Sequence, residues 1–433
     1  MKPRVYQITH QAPSKKTAIL VGVQMPHNGS VPLETSLEEL KGLVATAHYH
    51  SAATLTQKLD AIHPKTLLGS GKVEELLRAV QHHHPDAVVF DDDLSPAQNR
   101  NLEHILKCRV VDRSWLILEI FQEHARTREA KTQVELARLK YALPRLTRLW
   151  GHLSRQRGGI GLREVGETQI QLDRRLIRDQ IHKLERKLKK IDREKITQRK
   201  SRRGMYRVAL FGYTNVGKST LMNLLTGADT LVEDKLFATL DATTRRIRKN
   251  FPYPVLLADT VGLIDKLPHD LVASFKSTLD EIREADLILK VVDFSHPNYG
   301  RQMQTAADVL NQLGASAIDS ILVFNKIDRI TDPDLLRDAE YLYPDSVFIS
   351  SLTGQGLDGL RQKIIQCYEN RLAFYTLDLD YGNAKMISAI RKQAIVVKED
   401  YQPEKISLSL RLPPGGKQRL ERLLQRNGCL VAP

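Results

Sequence analysis

Nine residues, GYTNVGKST from Gly212 to Thr220, restrict the fold of this chain more than any other stretch. The pattern Gly-x-x-x-x-Gly-Lys-Ser follows the apolar run VALF and precedes the apolar run LMNLL. Glycines at both ends allow a tight strand-to-helix turn, and the helix start then presents free backbone N–H groups to an anion. A parallel α/β layer delivers strand, turn and helix in that order. Gly212, Tyr213, Thr214, Asn215, Val216, Gly217, Lys218, Ser219 and Thr220 therefore read as a phosphate cradle. Lys218 is expected to reach β and γ oxygens and Ser219 to bind Mg2+.

The partners of such a loop follow in order along the chain. Asp259 ends the apolar run PVLLAD, where a carboxylate can hold the magnesium shell, and Thr260, Val261 and Gly262 come next, with the Gly262 amide expected at a γ-phosphate. NKID (325–328) ends a later strand. Its Asp328 can accept from the N1 and N2 hydrogens of guanine, a donor pair that adenine lacks, so the motif selects GTP over ATP. Asn325 and Lys326 would brace the base pocket, and Ser350, Ser351 and Leu352 would offer backbone amides to the guanine oxygen. The first switch must lie in DKLFATLDATTRRI (234–247), where Thr239, Thr243 or Thr244 is the expected metal ligand. Leu263, beside Gly262, can neither donate nor accept a hydrogen bond, so another group must orient an attacking water.

A chain of 433 residues exceeds what one hydrophobic core supports, since single cores rarely grow past about 250 to 300 residues. Four units are expected. Residues 1–125 alternate short apolar runs (AILVGV, AVVFDDD, CRVVDR) with helices from Ser36 and Gly71, the pattern of a small parallel α/β layer. Residues 126–203 read as a helical hairpin around a glycine-rich loop, 204–370 as the α/β domain of the phosphate cradle, and 371–433 as a small α+β unit in ferredoxin-like order. In the hairpin, Ile170, Ile177, Ile181, Leu184, Leu188 and Ile191 form a heptad seam, with Val134, Ala137, Tyr141 and neighbouring leucines expected to supply its partner.

Several features carry no site. LLGSGKVEE (67–75) lacks the first glycine of a phosphate loop and has Val73 at the magnesium position, so it reads as a strand-to-helix turn. Asp91, Asp92 and Asp93 run into Ser95 and Pro96, a helix N-cap and first helical residue. His82, His83 and His84 sit at a helix end, where cations suit the dipole. Cys108, Cys367 and Cys429 are too scattered for a zinc or redox pair and read as buried free thiols.

Charge is unevenly placed. From Arg138 to Arg203 there are 21 Lys and Arg against 7 Asp and Glu, an excess of 14 that equals the net charge of the whole chain. Such a block is a footprint for nucleic-acid phosphates, whose neutralisation releases counterions. Arg155, Arg157 and Arg163, beside the glycines of SRQRGGIGLREVGETQ (154–169), are the expected RNA contacts. No run approaches the roughly 20 apolar residues that span a bilayer, and no leader pattern opens the chain. A cytoplasmic monomer without membrane insertion is expected. An ATP-driven RNA remodeller is the competing class, and Asp328 argues against it, although a secondary site for ATP elsewhere in the chain stays open. A binding switch that hydrolyses GTP only for release is a third reading.

The motifs together resemble the HflX ribosome-associated GTPases of the Obg-HflX group. The stretches that carry the resemblance include KTLLGSGKVEEL, DDDLSPAQNRNLE, ARTREAKTQVELARLKYALPRL, GETQIQLDRRLIRDQI, FGYTNVGKSTL, DKLFATLDATTRRI and FNKID. The resemblance implies a family-specific N-terminal domain with a helical hairpin, a GTPase domain and a small C-terminal domain. It further implies binding of the large ribosomal subunit, ribosomal RNA included, and splitting or recycling of stalled or idle ribosomes. It selects Thr239 as the switch threonine, with Lys218 and Gly262 as the other catalytic groups, and it accounts for Leu263, because this group has an apolar residue where other GTPases place glutamine. Asn215 resembles the asparagine that ligates potassium in some related GTPases, so K+ is a second candidate cation. The glycine-rich loop departs from the family pattern Thr-Arg-Gly-Pro-Gly-Glu-Thr at Leu162, Glu164 and Val165.

Overall fold

A computed structural model of the chain describes residues 16–26, 32–146, 169–200, 205–228, 236–237, 239–241, 243–247, 251–266, 276–380, 384–391 and 394–413, with residues 416, 420–422 and 424 beyond them. The expected RNA contacts Arg155, Arg157 and Arg163, and the departures at Leu162, Glu164 and Val165, lie outside the described residues.

The first layer is built from β1 (Lys16–Gln24), α1 (Leu33–Thr46), β2 (Tyr49–Lys58), α2 (Ser70–His83), β3 (Ala87–Phe90), α3 (Pro96–Leu106), β4 (Arg109–Asp112) and α4 (Arg113–His124). Its four strands are parallel in the order β2-β1-β3-β4. Strands β1 and β3 sit inside the sheet with helices on both faces, which is why AILVGV and AVVF are continuous apolar runs rather than alternating ones. Strand β2 is absent from the sequence reading. It lies on the edge, and only Tyr49 and Leu55 of its ten residues are buried, so YHSAATLTQK carries almost no apolar signal. Ser95 and Pro96 start α3 as expected, in a capping box with Gln98. The turn before α2 follows a loop with an isolated bridge between His63 and Leu67, not the strand the sequence suggests.

Helix α5 (Arg128–Ala142) and helix α6 (Gln169–Lys200) lie antiparallel, tied by the ion pairs Glu129–Lys195 and Lys140–Glu185. Ile181 and Ile191 of the expected seam are buried and Ile177, Leu184 and Leu188 half-buried. Of the partner residues expected on α5, three face the first layer. Val134 and Ala137 are buried with α4 in the core of the first layer, and Tyr141 packs against that core while donating to Asp112. The neighbouring leucine Leu136 is buried and shares, by helical spacing, the α5 face of Glu129 and Lys140 that pairs with α6. Helix α5 is thus apolar on two sides, and spacing alone does not say which side meets which neighbour.

The second sheet has the order β10-β9-β8-β5-β7-β6. Its strands are β5 (Tyr206–Gly212), β6 (Thr243–Arg246), β7 (Val255–Asp259), β8 (Leu287–Asp293), β9 (Ser320–Asn325) and β10 (Val347–Phe348). Strand β6 alone runs antiparallel to its neighbour, pairing Thr243 with Asp259. Around the sheet stand α7 (Lys218–Thr226), α8 (Lys276–Arg283), α9 (Tyr299–Gln312), α10 (Pro333–Leu342) and α11 (Leu357–Asn370). The C-terminal sheet, β11 (Ala373–Asp380), β12 (Ile395–Tyr401) and β13 (Lys405–Leu412), is antiparallel in the order β11-β13-β12 with α12 (Ala384–Arg391) between its first two strands. Residues 429–433, where the expected ferredoxin-like order places its last strand, lie outside the described residues.

One apolar cluster crosses from the first layer into the second. It contains Leu20, Leu40, Leu116, Ile117 and Phe121, and also Phe237, Leu240, Val261 and Ile264. A charged cluster closes the same junction. Arg113 is 1% exposed and donates to Asp91 Oδ1 at 2.7 Å, to Glu39, and to the carbonyl of Asp265 at 3.0 Å. Lys266 donates to Asp91 at 2.5 Å and to Asp92 at 2.8 Å. Burial pushes the Glu39 carboxyl up to about 7 against the pull of Arg113. Burial also acts to raise Asp91, but Arg113 and Lys266 hold it below the usual carboxylate range. Arg113→Met leaves the half-buried Glu39 carboxylate without its cation and Asp91 with Lys266 alone, which should cost about 3 kcal/mol. Denaturant unfolding measures this, and a midpoint equal to that of the parent would show that the cluster adds nothing to stability.

Candidate nucleotide-binding site

The phosphate loop leaves β5 at Gly212 and enters α7 at Lys218. Gly217 has φ +91°, and a Cβ there would stand 2.4 Å from Asn325 Nδ2, so no other residue fits. Asn325 is fully buried and acts as a staple. Its Nδ2 donates to the Val216 carbonyl at 2.7 Å and to Ser351 Oγ at 2.9 Å, and its Oδ1 accepts from the Ser351 amide at 2.9 Å. The loop is therefore fixed from behind by residues of NKID and SSL.

Lys218 is 7% exposed, and its Nζ donates to the carbonyls of Gly212 (3.0 Å) and Tyr213 (2.5 Å). Burial lowers its pKa to about 8, with Asp259 opposing the shift. Ser219 Oγ donates to Asp259 Oδ2 at 2.7 Å and lies 2.8 Å from Thr239 Oγ1, which in turn donates to the same carboxylate oxygen at 3.1 Å. Thr239, rather than Thr243 or Thr244, reaches this group, because those two belong to β6. Asp259 is 2% exposed, and its Oδ1 has no hydrogen-bond partner among the described residues. Burial raises its pKa, with Lys218 the main opposing charge. Three hard oxygen donors and one unsatisfied carboxylate oxygen fit a divalent cation such as Mg2+.

The segment after Asp259 folds back onto the loop. Leu263 donates its amide to the Gly212 carbonyl at 3.1 Å, and its carbonyl accepts from the Thr214 amide at 2.8 Å. Gly262 is pressed so close that a Cβ would lie 2.7 Å from Thr214 Cα. The Leu263 side chain, 3% exposed, points into the apolar core of the second layer. Thr260 is fully buried and donates to the Leu210 carbonyl at 2.6 Å, while Val261 faces the first layer. Tyr213, 4% exposed, donates its hydroxyl to Asp265 at 2.6 Å. Asn215 is exposed at φ +59°.

At the base side, Lys326 (φ +64°) pairs with Asp293 at 2.7 Å. Asp328 Oδ1 accepts from Ser350 Oγ at 2.5 Å. The Ser350 amide donates to the Gln355 carbonyl at 3.0 Å, the Ser351 amide is held by Asn325 and the Leu352 amide reaches Ser350 Oγ at 3.3 Å, so all three expected guanine donors are engaged within the protein. Leu352 itself is 80% exposed.

With this geometry in place, comparison with known proteins is informative. Residues 34–122 match the family described as GTP-binding GTPase N-terminal, 124–202 the GTP-binding GTPase middle region, and 207–326 the 50S ribosome-binding GTPase family. The GTPase HflX of Magnetococcus marinus is 42% identical over 98% of both chains. The chain belongs to the HflX family of GTPases. The HflX GTPase of Flavobacterium psychrophilum is 49% identical over 72% of this chain and 75% of its own. Among solved structures, a GTP-binding protein from Sulfolobus solfataricus in complex with GDP is 26% identical, with a TM-score of 0.43 over 81% of this chain and 98% of that one.

This HflX protein is thus a GTPase, with the cradle, Asp259 and NKID assembled at one end of its central sheet. Sequence reading assigned no role to Phe237, Asp241, Asp265 or Arg113, and the contacts Phe237–Phe121, Asp241–Arg126 and Asp265–Arg113 each join residues more than 100 positions apart. Asn325→Ala should unpair the buried Val216 carbonyl and Ser351 amide. At about 1–3 kcal/mol for each unsatisfied group, nucleotide affinity should fall at least tenfold. Titration with a fluorescent guanine nucleotide measures the loss, and unaltered affinity would remove Asn325 from the site.

Proposed function

We propose that the protein is a translation factor that hydrolyses GTP on the large ribosomal subunit and uses that cycle to split or recycle stalled or idle ribosomes in the cytoplasm. Its proposed units are residues 1–125, 126–203, 204–370 and 371–433. The observation that carries the ribosomal part is the basic outer face of α6, where Arg175, Arg178, Lys183, Arg186, Lys187 and Lys190 are all exposed. A helix face of that charge is suited to the phosphates of ribosomal RNA, with Arg155, Arg157 and Arg163 of the adjoining loop as proposed contacts. The matched family description, 50S ribosome-binding GTPase, supports the same partner.

In this reading the amides from Asn215 to Thr220 and the Lys218 ammonium bind the β and γ phosphates, and Gly262 offers its amide to the γ-phosphate. Ser219, Thr239 and Asp259 would hold Mg2+, which when bound neutralises charge on the β and γ oxygens. Lys218 gives up its carbonyl partners and turns to the phosphates. Asp328, released from Ser350, accepts from the guanine edge and excludes adenine. Leu263 orients no water, because its side chain belongs to the core. Alignment of the water therefore falls to the backbone around Thr239 and Gly262, ordered when the large subunit is bound. Potassium at Asn215 is a second source of order.

Sedimentation with separated ribosomal subunits tests the proposal. The protein should pellet with large subunits in the presence of a non-hydrolysable GTP analogue, less so with GDP, and added salt should weaken the binding steeply. Large subunits should raise GTP turnover at least about tenfold, the order of one positioning group. Equal pelleting with both subunits, or turnover indifferent to either, would refute it.

A further inference from the structure

The residues flanking Thr239 point away from the nucleotide pocket and into the first layer. Phe237 is 2% exposed and its ring meets Phe121 edge-on at 4.7 Å between centroids. Its φ of +58° is an uncommon and strained conformation for a bulky residue, retained only where packing over-determines it. Leu240, also 2% exposed, enters the same apolar cluster as Leu116 and Ile117. Asp241 completes the set. Its Oδ2 accepts from the amides of Arg126 and Thr127, both at 3.0 Å, and its Oδ1 from the Thr127 hydroxyl. Thr127 is the N-cap of α5, and its Oγ1 accepts from the Ala130 amide at 3.1 Å. A carboxylate from the segment of Thr239 therefore stands at the positive end of the first hairpin helix, where backbone donors lack partners of their own.

We propose that Phe237 and Asp241 are positioning residues for GTP hydrolysis: they hold Thr239 against Ser219 and Asp259 by anchoring its segment on α4 and on the start of α5. The inference rests on the reading of Thr239 as a metal ligand. Its physical content is a coupling. When Thr239 is seated, Asp241 caps α5; when Thr239 leaves, the cap goes with it, and the helix that carries the basic hairpin loses three acceptor contacts. By reciprocity, whatever steadies α5 favours the seated threonine to the same degree. The N-terminal layer thus does for the first switch what an activating partner does elsewhere, from within the same chain.

The test uses full-length protein and compares Asp241→Ala, Asp241→Asn, Thr127→Val and Thr239→Ala. Thr127 touches no residue of the cradle, so a merely structural role would leave the ratio of triphosphate to diphosphate affinity unchanged. Asp241→Ala and Thr127→Val should each lower kcat and affinity for a non-hydrolysable GTP analogue by about tenfold, the weight of one helix cap, with GDP affinity unchanged. Their combination should do little more than either alone. Asp241→Asn, which keeps one acceptor, should recover part of the loss. Amide exchange at Arg126 and Thr127 should be slower with the analogue than with GDP. Parent-like kcat in Asp241→Ala, while Thr239→Ala is inactive, would overturn the positioning role alone. Full activity in Thr239→Ala would overturn the reading beneath it as well. Equal losses of GDP and analogue affinity, or additive effects, would mark the contacts as general stabilisation and overturn the proposal.

Discussion

Asp259 is the constraint around which the rest of the site is organised. A carboxylate at the end of a central strand, 2% exposed, with one oxygen shared by Ser219 and Thr239 and the other without a partner among the described residues, is costly to bury on its own. It is tolerable because Lys218 stands nearby and because an oxygen-loving cation has a place beside it. The cradle, the switch threonine and the sheet edge must all be in register for those groups to meet. Each is fixed from outside the nucleotide pocket, the cradle by Asn325 and the switch segments by the first layer.

The junction between the two layers is therefore part of the site. Val261 and Ile264 are buried in the first layer while Leu263 between them is buried in the second, so the segment after Asp259 is a seam with one face in each core. The ion cluster of Arg113, Asp91, Glu39 and Lys266 clamps the end of that seam. Apolar contacts give this junction its area, and the buried charges restrict it to one alignment, because a shifted seam would leave Asp91 without its cations.

The parts legible in the sequence are those dictated by local chemistry. Strands β5 and β8, the loop between β5 and α7, and the cap at Ser95 follow from short runs whose residues can do little else. The seam of α6 was visible because heptad spacing survives in a helix that buries one stripe. What stayed hidden is long-range. Strand β2 is polar because it lies on an edge, the partner face of α5 is ambiguous because two of its faces are apolar, and Asp241 looks like any surface carboxylate until Thr127 is placed beside it. The choice of Thr239 over Thr243 and Thr244 came from family likeness, and its physical reason emerges only when β6 claims the other two.

The bridge between Leu263 and Tyr213 has a mechanical meaning. Strands β5 and β7 pair in parallel as far as Leu210 and Asp259, and the Gly212–Leu263 and Leu263–Thr214 hydrogen bonds resume that ladder inside the phosphate loop. The loop and the segment after Asp259 are thereby rungs of one zip rather than two neighbours in contact. Withdrawal of Gly262 together with Leu263 therefore breaks two backbone hydrogen bonds at the end of the ladder and leaves the β5–β7 pairing behind them intact.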